Sequence, residues 1–203
     1  GGGLMDKVAQ FSATHRRELF SEAAARLGMT PAVVEKDFWV TWVLDRLFVT
    51  PALARLLMFK GGTSLSKVYG LIERFSEDID LILDWRVLGD DDPLAERSRT
   101  RQTALNETIN AQAQAYIAGP LLAELSVALA GIAECRIGDD DPHVIEVRYP
   151  AAFADTYLRP EVRLEIGPLA AWLPHEDRKI SAYAAKAFPQ FFDRSEVAVR
   201  VIS

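Results

Sequence analysis

Cysteine is nearly absent from this chain, positive charge is outnumbered, and no apolar run is long. One cysteine, Cys135, stands among 203 residues, which removes intrachain disulfides and thiolate metal clusters and suits a reducing compartment. Cys135 therefore reads as a small core residue. Lysine and arginine total 23 against 29 acids, a net charge of −6. The chain as a whole is no basic sponge for nucleic acid, so any RNA contact needs a local basic patch. No stretch reaches the roughly 20 consecutive apolar residues that cross a bilayer, and the N-terminus lacks the charged-then-apolar pattern of a secretory signal. No membrane association and a cytoplasmic location are expected. The Walker A pattern G-x-x-x-x-G-K-[ST] is also missing, which excludes a P-loop nucleotide site.

What is present fits one globular domain with a real core, since 49% of residues are hydrophobic and 26% charged. Gly1-Gly2-Gly3 reads as a cloning scar, leaving residues 4–203 as the folded unit. Helices are expected over 12–50. Ser12 to Leu27 is helical in composition with Gly28 at the C-cap, and Thr30-Pro31 restarts the chain with an N-cap and a first-turn proline. Apolar residues from Val33 to Phe48 cover most of that second helix, so it should be largely buried. Ala54 to Lys60 is a short apolar run ended by Gly61-Gly62, which favours a strand, and Thr63 to Glu73 reads as a helix. Phe75 to Leu83 alternates as a strand.

Further on, 94–133 is rich in alanine, glutamine and leucine and reads as helical, with Gly119-Pro120 as an internal break. It is bracketed by Gly89-Asp-Asp-Asp-Pro93 and Gly138-Asp-Asp-Asp-Pro142, solvated turns that lack the staggered ligands of an EF-hand. Strands are expected at His143 to Tyr149, Glu161 to Ile166 and Glu196 to Ile202, and a helix around Arg178 to Ala187. The fold class is α+β, a mixed sheet flanked by helices, because no strict βα repeat runs through the chain.

Chemistry concentrates in residues 54–84. Along Phe75-Ser-Glu-Asp-Ile-Asp-Leu-Ile-Leu83, side chains two apart share a face, so Ser76, Asp78, Asp80, Ile82 and Asp84 lie on one side and Ile79, Leu81 and Leu83 on the other. Two carboxylates on one face of an apolar strand suffer desolvation and mutual repulsion. A magnesium ion bound by those carboxylates and by substrate phosphates removes both penalties. The alternative is an edge strand with one face in water, which needs no cation. Upstream, Phe59-Lys-Gly-Gly-Thr-Ser-Leu-Ser-Lys67 puts two glycines where a strand turns into a helix, with Thr63 and Ser64 able to cap it. Backbone N–H groups and the positive helix end can then approach a phosphate unobstructed. Lys67, one turn into the helix, either reaches a phosphate oxygen or stays a surface lysine.

Strand, diglycine turn, helix and D-x-D strand together resemble the signature of the DNA polymerase β-like nucleotidyltransferases. More closely, Phe59 to Leu81, F-K-G-G-T-S-L-S-K-V-Y-G-L-I-E-R-F-S-E-D-I-D-L, is similar to the core of the AbiEii/AbiGii nucleotidyltransferase toxins. Glu35-Lys-Asp-Phe-Trp-Val-Thr-Trp-Val-Leu44 is similar to that family's N-terminal helix. Fifteen residues separate Gly62 from Asp78, more than the generic superfamily pattern allows but typical of this family.

The resemblance implies nucleotide transfer from an NTP, with Mg2+ or Mn2+ held by Asp78, Asp80 and a third carboxylate on a neighbouring strand. Glu165 in Glu161-Val-Arg-Leu-Glu-Ile166 supplies it, since Val162, Leu164 and Ile166 share the core face. The alternative for Glu165 is a surface pair with Arg163 or Arg148, and Asp84 competes as third acid from a position beyond the metal. Lys60, Gly61, Gly62, Thr63, Ser64 and Lys67 would seat the triphosphate, while Arg74 and Ser76 flank and order the acids. The family further implies an RNA acceptor, the 3′ end of tRNA first, and a cognate antitoxin protein. Members generally continue into a helical segment with a Glu-Lys pair, so a truncated C-terminus is implied at Ser203. Two other readings stay open: a non-catalytic nucleotide- or partner-binding module, and transfer of a nucleotide or phosphate to protein hydroxyls. Arg97, Arg99 and Arg101 form a candidate basic surface or simply a solvated helix face. Trp39, Trp42, Trp85 and Trp172 read as core or interface.

Overall fold

Ser12 opens the first long helix by accepting a hydrogen bond from the His15 amide at 3.1 Å, and Gly28 closes it at φ 67°, a backbone state glycine adopts without steric penalty. The computed structural model describes residues 4–59, 78–93, 95–154, 158–168, 175–180, 184, 187–188 and 197–202. Helix α1 spans Leu4–Ala9, α2 Ala13–Leu27, α3 Pro31–Val49 and α4 Pro51–Ala54. Thr30 occupies the N-cap of α3 in an extended conformation, but its side chain makes no capping hydrogen bond there. As its composition foretells, α3 is buried almost all round, through Val34, Phe38, Trp39, Trp42, Val43, Leu44 and Leu47. It also buries Glu35, Lys36, Asp37 and Asp45. The Glu35 carboxylate accepts from the amides of Ala152 at 2.8 Å and Phe153 at 3.1 Å, and Arg16 of α2 donates to the Pro150 carbonyl at 2.9 Å. One loop is thus tied to both helices by buried side chains that satisfy its backbone amides and a carbonyl.

Among the described residues, seven strands form one mixed sheet: β1 Leu57–Phe59, β2 Asp78–Leu83, β3 Glu134–Ile137, β4 Val144–Arg148, β5 Glu161–Pro168, β6 His175–Ile180 and β7 Val197–Ile202. Their spatial order is β3-β4-β5-β2-β1-β7-β6. β2 runs parallel to β5 and β1 parallel to β7, while the remaining neighbours are antiparallel. This is the expected α+β class. Helix α3 packs against β5 and β7, and the core joins it to Leu57, Ile79, Leu81, Leu83, Ile145, Val147, Val162, Leu164 and Ile166.

Three sequence expectations need correction. The strand before the diglycine starts at Leu57, because Pro51–Ala54 closes a helical turn first. Gly119-Pro120 does not break the helical region. Helix α5, Arg99–Tyr116, passes through a wide turn at Ile117–Leu121 into α6, Leu122–Ala128. The amide of Leu122 bonds to the Ile117 carbonyl five residues back, and such a widened turn makes room for a proline ring without ending the helix. Arg178 lies in strand β6 rather than a helix, held by antiparallel pairing of His175–Ile180 with β7; Ala184 and Ala187 are helical. The expected helix at Thr63 to Glu73 lies outside the described residues.

Candidate active site

Alternation splits the central strands into two chemically different faces. Ile79, Leu81 and Leu83 of β2 and Val162, Leu164 and Ile166 of β5 turn into the helical core. By the same two-residue period, positions 78, 80 and 82 share the opposite face with Glu161, Arg163 and Glu165. Asp80 is half-buried and Glu165 exposed.

Register decides which of these groups are neighbours. Asp80 pairs with Glu165, and Asp78 pairs with Arg163, across the parallel β2–β5 ladder. Neighbouring strands lie about 4.8 Å apart, so the Asp80 and Glu165 side chains rise side by side from one face. Like charges in that arrangement destabilise a sheet unless something positive lies between or above them. An all-oxygen carboxylate pair on an otherwise dry strand is the donor chemistry that magnesium or manganese accepts. Among the residues whose side chains are described, no three His, Cys, Asp or Glu groups converge on a metal geometry, and the side chain at 78 is not among them. Lys60, Gly61, Gly62, Thr63, Ser64, Lys67, Arg74 and Ser76 lie outside the described residues. Asp84 is committed elsewhere: it caps the short 3-10 turn Trp85–Val87 and accepts two bonds from the Arg86 guanidinium Nε at 2.9 and 3.0 Å.

Beside the acids lies an ion network that sequence reasoning only partly found. Arg163 Nη1 is 3.6 Å from Glu146 of β4, and its Nη2 is 3.4 Å from Asp140 in the β3–β4 turn. Arg136 of β3 reaches Glu146 at 3.5 Å and Glu161 at 3.4 Å. Glu146 holds its proton more tightly than a free carboxyl, first through sharing a hydrogen bond with Glu161, then through burial and the Glu161 charge; Arg136 and Arg163 pull the other way. The only sequence signal for Glu146 is an acid inside the apolar run Val144-Ile-Glu-Val147.

The model of the family described as the nucleotidyl transferase AbiEii toxin of type IV toxin–antitoxin systems matches residues 42–203. The chain belongs to the AbiEii family. It is therefore a nucleotidyltransferase-family protein and the toxin member of a toxin–antitoxin type. The match begins inside α3, so Glu35 to Thr41, part of the sequence likeness, precede it. No curated protein matches the chain.

In this AbiEii-family chain the remaining candidates take quieter places. Arg97 donates to the Pro93 and Asp92 carbonyls and to Gln102, so its guanidinium is spent inside the protein; Arg99 and Arg101 are exposed on α5. Trp39 and Trp42 are core residues, Trp85 is half-buried, and Trp172 lies outside the described residues. Cys135 is half-buried against the core, and burial pushes its thiol up to about 11. The Gly138–Pro142 turn connects β3 to β4, with Asp141 accepting from the His143 amide at 2.8 Å. A cleft of about 310 Å³ between Val87, Leu88, Gln112, Ala115, Tyr116 and Pro120 contains none of the acids. No described helix is long and apolar enough to cross a membrane.

Proposed function

We propose that this AbiEii-family protein transfers a nucleotide from a nucleoside triphosphate to a hydroxyl of RNA, the 3′ end of tRNA first among acceptors. The observation that supports it most is the register pairing of Asp80 with Glu165, on the face that alternation also assigns to position 78. The divalent ions fit this donor set, and Asp78, Asp80 and Glu165 are the residues that would hold them. When bound, magnesium or manganese supplies positive charge to the triphosphate and to the entering and leaving oxygens.

The chain's own groups do the rest. In this reading Glu165, exposed and paired in register with Asp80, accepts the proton of the acceptor hydroxyl as that oxygen attacks the α-phosphorus. Pyrophosphate leaves in line. The sequence Gly61-Gly62-Thr63-Ser64 is assigned in this reading to the β- and γ-phosphates, with Lys60 and Lys67 adding positive charge. Ser76 and Arg74 are assigned in this reading to ordering the acids. The toxin–antitoxin family supports a cognate antitoxin protein as partner.

Incubation with each of four α-labelled triphosphates, magnesium and total tRNA tests the reading. Label in RNA supports it. Label in protein replaces RNA with a protein hydroxyl as acceptor, and no label with any triphosphate favours a binding module without turnover.

A further inference from the structure

Arg163 is a largely buried cation on an acid-bearing face, with 11% of its side chain exposed against 5% for Glu146. Burying an arginine and a glutamate together gains little stability over an apolar pair of the same size, so their presence calls for another reason. Lattice position offers one. Reading across the strands, Arg136 pairs with Glu146, Glu146 with Arg163, and Arg163 with Asp78. One step along, Val144 pairs with Glu165 and Glu165 with Asp80. Arg163 is thus next to Asp78 across the ladder and two residues, about 6.6 Å, from Glu165 along its own strand. Among the described residues, it is the one cation in a neighbouring lattice position on that face. Glu146 at 3.6 Å and Asp140 at 3.4 Å fix its guanidinium from the far side.

We propose that Arg163 is a fixed internal counter-charge to the acids Asp78, Asp80 and Glu165, holding their affinity for a free divalent cation low so that the ion arrives with the triphosphate. This rests on those three acids being the cation ligands. A unit positive charge carried at the strand position beside those acids opposes binding of a divalent ion even at an effective dielectric of about 20. Removal of that charge should therefore tighten binding, whereas loss of a merely structural residue would weaken it. Arg163 is a positioning residue in this scheme and touches no substrate.

Manganese titration followed by electron paramagnetic resonance, on the whole chain without nucleotide, tests it. Arg163→Gln should bind manganese at least about tenfold more tightly than wild type, and Arg163→Lys, which keeps the charge, should bind within about threefold of it. Because Arg163→Gln leaves Arg136 as the one described cation paired with Glu146, the double variant Arg163→Gln/Glu146→Gln is measured beside it. That variant leaves no uncompensated charge in the pair and should also bind more tightly, by a smaller factor. Unchanged or weaker binding in the folded Gln variants overturns the proposal. Asp80→Asn separates the two readings: if it binds manganese like wild type, the acids are not the ligands, and if it alone loses binding while the Arg163 variants stay unchanged, only the counter-charge fails.

Discussion

Asp80 and Glu165 stand opposite one another in adjacent parallel strands, β2 and β5, on the face turned away from the helical core. Repulsion between them should make the metal-free protein less stable than it can be. Magnesium that binds only the folded state stabilises by mass action, about 2.7 kcal/mol at a hundredfold excess over Kd. The expected result is a rise in melting temperature with magnesium that is small for the ion alone, larger when triphosphate is present with it, and reversed by a chelator. In Asp80→Asn the rise should shrink or vanish, while the variant itself melts no lower than metal-free wild type.

Leu164 and Glu165 are chain neighbours that serve opposite faces. Leu164 is fully buried in the core and Glu165 is exposed. Leu164→Ala should lower unfolding free energy by about 3 kcal/mol through lost burial and a residual cavity. Glu165→Gln should leave stability within about 0.5 kcal/mol yet reduce nucleotide transfer about a hundredfold or more. Urea titration and transfer assays on both proteins check the crossover.

Glu35 satisfies two loop amides from inside α3. Glu35→Ala strands both donors, and the loss expected is about 2–4 kcal/mol, each orphaned buried group costing about 1–3. Glu35→Gln keeps one acceptor oxygen and should lose less. Equilibrium denaturation ranks the three proteins.

A carboxyl whose folded pKa is raised binds its proton more tightly when folded. For Glu146, raised from 4.5, the stabilising contribution is full below the ordinary value and disappears as pH rises through the raised one. Relative to Glu146→Gln, which carries no such proton, wild type should therefore gain melting temperature as pH falls from 8 towards 5. A difference that is flat across that window would remove the raised pKa from the account.

Local rules made much of this readable from residues alone. Ser12 and Gly28 marked the ends of α2, and the alternation of Asp78–Leu83 and Glu161–Ile166 sorted core from polar face because a strand has a strict period of two. Charge-rich His175-Glu-Asp-Arg-Lys-Ile180 hid its strand, since β6 ends the order of described strands and such flanking strands tolerate charge that central ones do not. β3 was missed because four residues before a turn leave too short a pattern to read. Register, which sets Asp80 beside Glu165 and Arg163 beside Asp78, is a tertiary property with no sequence counterpart. The diglycine turn, read as the phosphate seat, lies outside the described residues.

Transfer of α-labelled nucleotide to RNA by Asp78→Asn, Asp80→Asn and Glu165→Gln, each first shown to melt like wild type, goes straight to the acids as the working centre. All three should fall about a hundredfold or more below wild type. A folded Asp80→Asn protein that still turns over within about threefold of wild type would contradict the account.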